Sequence, residues 1–346
     1  MLRLSRLATL AIALIASTVA RAQSVEEFYR GKTFYMLIGT EPGGAYDAYA
    51  RLLGRHIGRH IPGEPVVVSQ NMPGAASLVL ANHLYNVIAR DGLAIGAVQR
   101  GMPLNPLYAG VGASGARYDA TKFTWIGSIN NETGVVLAMK SSGINRFEDL
   151  FEKEMIVGAE GGGTSDSELF ARLSNAVLGT KARIVTGYKG SSEVSLALDK
   201  GEVNGQFVGG WVGLRDKANP WIAAGRASLI LQLAVRPDPR FPGLPVIMDF
   251  AHDERQKQIL RLAFTAQLWG RPYVAPPGLP PERAKALRDA FQATMVDPAF
   301  VAEANRFGLD IGPLSGEEMA DLIAGLYASP KDIVEATRAA FHGEKK

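Results

Sequence analysis

PGGAYDAYARLLGRHI, residues 42–57, follows directly on the apolar run Phe34–Ile38. Glycines at 43 and 44 let the backbone turn sharply and approach another group, and a strand turning through Gly-Gly into a helix opens a βαβ unit. Tyr49, Leu52, Leu53 and Ile57 fall on one face at the 3.6-residue period, and Asp47 has the chemistry of an N-cap. The unpaired N–H groups at such a helix start attract an anion. Taken by itself, the stretch is equally a plain strand-to-helix turn with a capping aspartate.

The same logic recurs twice. NMPGAAS (residues 71–77) follows the run Pro65–Ser69, and EGGGTSDSELF (residues 160–170) follows Ile156–Ala159, with Thr164 and Ser165 as hydroxyl donors. Further β-rich runs are Ala94–Val98, Phe123–Ile129, Gly134–Met139, Ala182–Val185, Val203–Val208 and Leu229–Ala234. Their alternation with helical stretches predicts an α/β fold of parallel or mixed sheets with right-handed crossovers, and three glycine turns at strand carboxyl ends converge where open α/β sheets bind ligands.

The pattern breaks at 104–122 and again at 235–245, where Pro237, Pro239, Pro242 and Pro245 fall. Two crossings predict two lobes with a cleft and a hinge between them: 23–121 plus 235–346 as one, 122–234 as the other. The stretch 280–341 reads as helix-rich, with Pro280-Pro281 at a helix start.

Arg3 and Arg6, an apolar run Leu7–Ala16 and Ala20-Arg21-Ala22 have the form of a signal peptide cleaved after residue 22. The expected product is an exported protein of roughly 324 residues, enough for two domains. The formal charge of +3 comes from 37 basic and 34 acidic residues, and losing Arg3, Arg6 and Arg21 leaves 34 against 34. That balance gives no electrostatic footprint for nucleic acid. With no cysteine, disulfides, thiolate catalysis and Cys-ligated metals are excluded.

Residues 161–165 lack the Lys-Ser/Thr of a P-loop, no G-x-G-x-x-G follows the first strand, and neither a G-x-S-x-G elbow nor an H-E-x-x-H helix occurs. His56 and His60 lie four apart, a weak metal signal better read as a solvated helix face. No cofactor, no metal and no catalytic residue is expected, so a binding protein is favoured over an enzyme. A carboxylate suits loops that offer backbone N–H and hydroxyl groups.

PGGAYDAYAR, PVVVSQNMPGAAS, ARDGLAIG, GGGTSDSELF and TGYKGSSEVSLALDKGEVNGQF, in that order, resemble the successive motifs of the Bordetella uptake gene family, the TctC-like periplasmic receptors of tripartite tricarboxylate transporters. The resemblance runs from about Phe28 to the C-terminus. It implies a two-lobed type II periplasmic binding protein, closing as a Venus flytrap on organic acids and working with two membrane subunits. It implies ligand contacts from Gly43, Gly44, Ala45, Tyr46 and Asp47, from Gly74 and Ala75, and from Gly163, Thr164 and Ser165, with Tyr188 and Gly190 supplied by the second lobe. Ala45-Tyr46 stands where the family commonly has Ser-Thr, and Ala76-Ser77 where it commonly has Gly-Gly.

Two residues join the set on physical grounds. Arg100 ends the third strand at the edge of the glycine turns, where it could pair bidentately with a carboxylate or ion-pair between lobes. Trp211 follows Gly209-Gly210 and could wall the cleft or pack in the core. A monomer is expected. The alternatives are a receptor of the same fold for another ligand or for signalling, and an α/β enzyme acting on an organic acid.

Overall fold

The computed structural model describes residues 23–109, 115–160 and 165–342. Expectations for the signal segment 1–22 therefore lie outside the described residues, as do those for Gly163 and Thr164.

The chain begins with α1 (Val25–Tyr29), β1 (Thr33–Ile38), α2 (Ala45–Ile57), β2 (Val66–Asn71), α3 (Leu78–Asn86), β3 (Ala94–Ala97), α4 (Asn105–Ala109) and β4 (Thr124–Ser128). It then crosses to β5 (Gly134–Met139), α5 (Asp149–Glu152), β6 (Met155–Glu160), α6 (Asp166–Leu178), β7 (Ala182–Tyr188), α7 (Ser191–Lys200), β8 (Gly205–Val208), α8 (Arg215–Ala223) and β9 (Ala227–Leu233). It returns through α9 (Glu254–Phe264), β10 (Pro272–Ala275), α10 (Pro281–Met295), α11 (Pro298–Arg306), β11 (Leu314–Ser315), α12 (Gly316–Tyr327) and α13 (Lys331–His342).

Two sheets result, ordered β11-β4-β10-β3-β1-β2 and β7-β6-β8-β5-β9. β1 pairs in parallel with β2 and β3, as β6 does with β7 and β8, while β10 runs antiparallel between β3 and β4. The mixed α/β, two-lobed architecture is the expected one. β10 and β11 gave no periodic signal in the sequence because each is too short to show one.

The lobe boundary differs from the expectation. β4 hydrogen-bonds to β10 and β11 in the six-stranded sheet, so the chain crosses over at 129–133 and not near 122. The Gly- and Ser-rich stretch before β4 interrupts the pattern without ending the lobe. The return segment also divides. β10 and β11 join the six-stranded sheet, whereas α9 and α13 pack on α6 of the second lobe.

Packing follows this split. Phe34, Met36, Leu52, Leu53, Phe291 and Phe300 bind α2, α10 and α11 to the first sheet, and Val135, Leu137, Val194, Leu198 and Trp221 bind α7 and α8 to the second. A third apolar cluster runs from Leu80 and Trp125 through Phe264 to Phe170 and Phe207, joining the lobes behind the cleft. GVVLAM of β5 is buried along its whole length, as expected for a strand covered on both faces.

His56 is buried rather than solvated. Its Nε2 lies 2.5 Å from Glu303 Oε2, and His60 Nε2 lies 2.7 Å from Asp297 Oδ2. Together they clasp α2 and the turn after it to α11 and its N-cap Asp297.

Candidate functional site

The first turn is fixed by Asp47, though not as the expected N-cap. Gly44 occupies the cap and Asp47 the third helical position of α2. From there the buried carboxylate turns back to accept Gly43 N–H at 3.0 Å, Arg51 Nε at 3.0 Å and Asn71 Nδ2 at 2.8 Å. Asn71 Nδ2 also donates to Thr40 O at 3.0 Å, which ties the turn to the end of β2. Burial alone would raise the Asp47 pKa, but hydrogen bonds from Arg51, Gly43 and Asn71 outweigh it and hold the carboxyl below its usual range. Asp47 thus shapes the turn while Ala45 and Tyr46 present the free helix start.

The second turn is strained. Ala75, Ala76 and Ser77 all take left-handed backbone, with φ of 44°, 53° and 71°. Each costs an L-residue roughly 1–2 kcal/mol. Ser77 holds the conformation: its fully buried hydroxyl donates to Gly39 O at 3.0 Å and accepts Gln99 N–H at 3.1 Å, pinning the turn to the ends of β1 and β3. Strain maintained by its surroundings in this way concentrates at functional sites.

These turns open on a cavity of about 1050 Å³ between the lobes. Tyr46, Ala75, Ala76 and Arg100 line it from the first lobe, and Ser165, Asp166, Gln206 and the Gly209-Gly210 turn from the second. Glu132 from the crossover, and Gln267 and Arg271 from the returning chain, close its floor.

Two arginines give this wall its positive charge. Arg100 is held at its backbone, donating N–H to Tyr46 Oη at 3.2 Å and accepting Trp269 Nε1–H at 3.0 Å, and its guanidinium pairs with Asp166 of the opposite lobe. Arg271 is buried. Its Nη1 lies 2.7 Å from Glu132 Oε2 and donates to Gly270 O at 2.7 Å, its guanidinium stacks 4.4 Å over the Tyr46 ring, and Nε has no hydrogen-bond partner among the described residues. Burial would lower the Arg271 pKa, but Glu132 more than compensates and the group stays charged.

Of the residues expected from sequence, Ala45, Tyr46, Ala75, Arg100 and Ser165 come together on the cavity wall. Gly43, Gly44, Asp47 and Gly74 shape the two turns from behind. Tyr188 and Trp211 pack in the apolar cluster of the second lobe, Trp211 edge-on to Phe241 at 5.7 Å, while Ser191, next to Gly190, reaches the wall. Glu132, Gln206, Gln267 and Arg271 were not legible. They sit in crossovers or in the middle of a buried strand, where no local motif marks them.

The family model for the tripartite tricarboxylate transporter family receptor, TctC, matches residues 50–338. The chain belongs to this receptor family. Its members are solute-binding receptors rather than enzymes. Among curated proteins, none matches the chain by sequence. Solved structures that resemble it include a TctC solute-binding protein from Polaromonas (17% identity, TM-score 0.71, 89% of this chain and 99% of that one). MatC from Rhodopseudomonas palustris with bound malate (19% identity, TM-score 0.55) covers 88% of this chain and 99% of its own. The periplasmic binding protein BugD (18% identity, TM-score 0.57) covers 90% and 98%. At these identities the likeness shows a shared receptor fold.

Proposed function

We propose that this receptor binds a small organic carboxylate in the interlobe cleft and delivers it to the membrane subunits of a tripartite tricarboxylate-type transporter. The observation that carries the reading is the meeting, in one cavity, of the free start of α2, the strained second turn and two arginines, Arg100 and buried Arg271. N–H groups at a helix start and guanidinium donors are the groups that recognise a carboxylate. Within the family fold, malate is bound by MatC and adipate by another Rhodopseudomonas palustris protein of similar structure (18% identity, TM-score 0.57).

In this proposal the carboxylate sits against Ala45 and Tyr46 N–H, within reach of Arg271 Nε, and competes with Asp166 for Arg100. The segments 129–133 and 234–238 act as the hinge. The signal segment is cleaved on export, and the mature protein works in the periplasm as a monomer without turning its ligand over. A thermal-shift screen against mono-, di- and tricarboxylates and amino acids tests the proposal. Ligand at 100 times its dissociation constant adds about 2.7 kcal/mol of stability. No shift with any acid would sink the carboxylate reading.

A further inference from the structure

The floor of the cavity offers more acceptors than a bare carboxylate can use. Among the described residues, Gln206 Oε1 and Gln267 Oε1 have no hydrogen-bond partner, although the two side chains are only 3% and 2% exposed. The Gln267 amide is oriented by Nε2 donating to Gly209 O at 2.9 Å, which leaves Oε1 as the unpaired atom. Glu132, 4% exposed, faces Arg271 at ion-pair distance, but its Oε2 receives no hydrogen bond of good geometry. Buried acceptors left like this are destabilising unless a donor arrives.

The acceptors gather around one dipeptide. A Cβ at Gly209 would run into the Asp166 carboxylate and one at Gly210 into the Glu132 carboxylate, so both acids press on the glycine turn that Gln267 also holds. Glu160 adds a third carboxylate to the wall and accepts the Ser167 hydroxyl. Three acids thus face two arginines, and both arginines already face an acid. A second ligand carboxylate placed here would meet lone pairs and negative charge. An ammonium would meet complementary groups.

Much of the remainder of the cavity is apolar, walled by Leu104, Tyr108, Leu169, Phe170, Phe207 and Phe341, with Asn105 as a polar group among them. Among the described residues, exposed Arg338 adds charge at that end.

Resting on the carboxylate reading above, we propose that the ligand is a zwitterion with an apolar body: an α-amino acid with an aromatic or large aliphatic side chain. Its ammonium is held by Glu132, Gln206 and Gln267, and its side chain lies among Leu104, Leu169, Phe170 and Phe341.

Titration calorimetry of the purified protein with L-phenylalanine, L-leucine, 3-phenylpropionate and adipate tests this. 3-Phenylpropionate keeps the carboxylate and the ring but lacks the ammonium. The amino acids are expected to bind at least about tenfold more tightly than either plain acid, the size of one charged hydrogen bond. Gln267→Leu should weaken L-phenylalanine about tenfold and leave 3-phenylpropionate within twofold, and Glu132→Gln, which also frees Arg271, should cut the preference for L-phenylalanine over 3-phenylpropionate about tenfold. Gln206→Leu carries the test if Glu132→Gln disturbs Arg271 and fails to fold. Adipate or 3-phenylpropionate binding as tightly as the amino acids would overturn the zwitterion and leave the carboxylate reading standing. Silence from all four would overturn the zwitterion, and the wider acid screen above then decides the carboxylate reading.

Discussion

Arg100 of the first lobe and Asp166 at the start of α6 in the second form an ion pair directly across the cleft. Its two partners differ in setting. Arg100 is mostly buried and fixed at its backbone, whereas the Asp166 side chain is 41% exposed, so the pair itself adds little to stability. Arg100 is therefore the invariable half of the contact and Asp166 the exchangeable one.

That asymmetry sets opposite outcomes for the two residues. Arg100→Ala should weaken carboxylate binding by about 1.5–3 kcal/mol, the loss of a charged hydrogen-bond partner. Asp166→Asn, which frees Arg100, should strengthen it a few-fold. Titration calorimetry on both variants checks the pair, and equal losses from the two would show that Asp166 assists binding instead of competing with it.

Asp47→Ala should destabilise the protein by about 1–2 kcal/mol, because Gly43 N–H, Arg51 and Asn71 lose one shared acceptor. Ligand affinity should fall as well, since the turn that presents Ala45 and Tyr46 is no longer held. Urea unfolding paired with a binding isotherm measures both effects. Unchanged stability would mean that the turn holds its shape without the carboxylate.

The strained turn predicts a gain on relaxation. Ala76→Gly removes a Cβ from left-handed backbone with φ of 53° and should raise stability by up to about 1 kcal/mol. Ser77→Ala should cost about 1–3 kcal/mol, because Gln99 N–H loses its buried acceptor. Midpoints of urea unfolding compare the two, and a loss from Ala76→Gly would show that the strain lies elsewhere in the loop.

Acid should weaken the segment proposed above as the hinge. Asp238 accepts Thr133 Oγ1–H at 2.5 Å and is gripped by Arg240, which also reaches Asp310 Oδ2 at 2.8 Å. Burial would raise the Asp238 pKa, but the bonds from Arg240 and Thr133 bring it down to about 2 from an ordinary 3.8. With the folded value below the unfolded one, the native state binds fewer protons. This stabilisation, about 2 kcal/mol, is complete above the unfolded pKa and is lost as pH falls from about 4 towards 2. Asp238→Asn should flatten that part of the stability–pH curve, and a curve with the same slope would assign the acid sensitivity to other carboxylates.

The alternation of strands and helices, two crossings between lobes and the glycine turns at strand ends were all legible in the residues alone. Each of these is local: a period of 2 or 3.6, a Gly-Gly where the backbone must turn, a buried strand read from a run such as GVVLAM. Tyr46, Ala75 and Arg100 were legible for the same reason, lying in or beside those turns. The placement of β4 in the first sheet and of α9 and α13 against the second lobe, and with it the cavity floor, depends on long-range packing. Glu132, Gln206 and the pair Gln267 and Arg271 come from three separate segments, and nothing in the residues around each one specifies the others. Their joint chemistry, acceptors around a buried guanidinium, exists only once sheet pairing and helix packing have brought those segments to the same few ångströms.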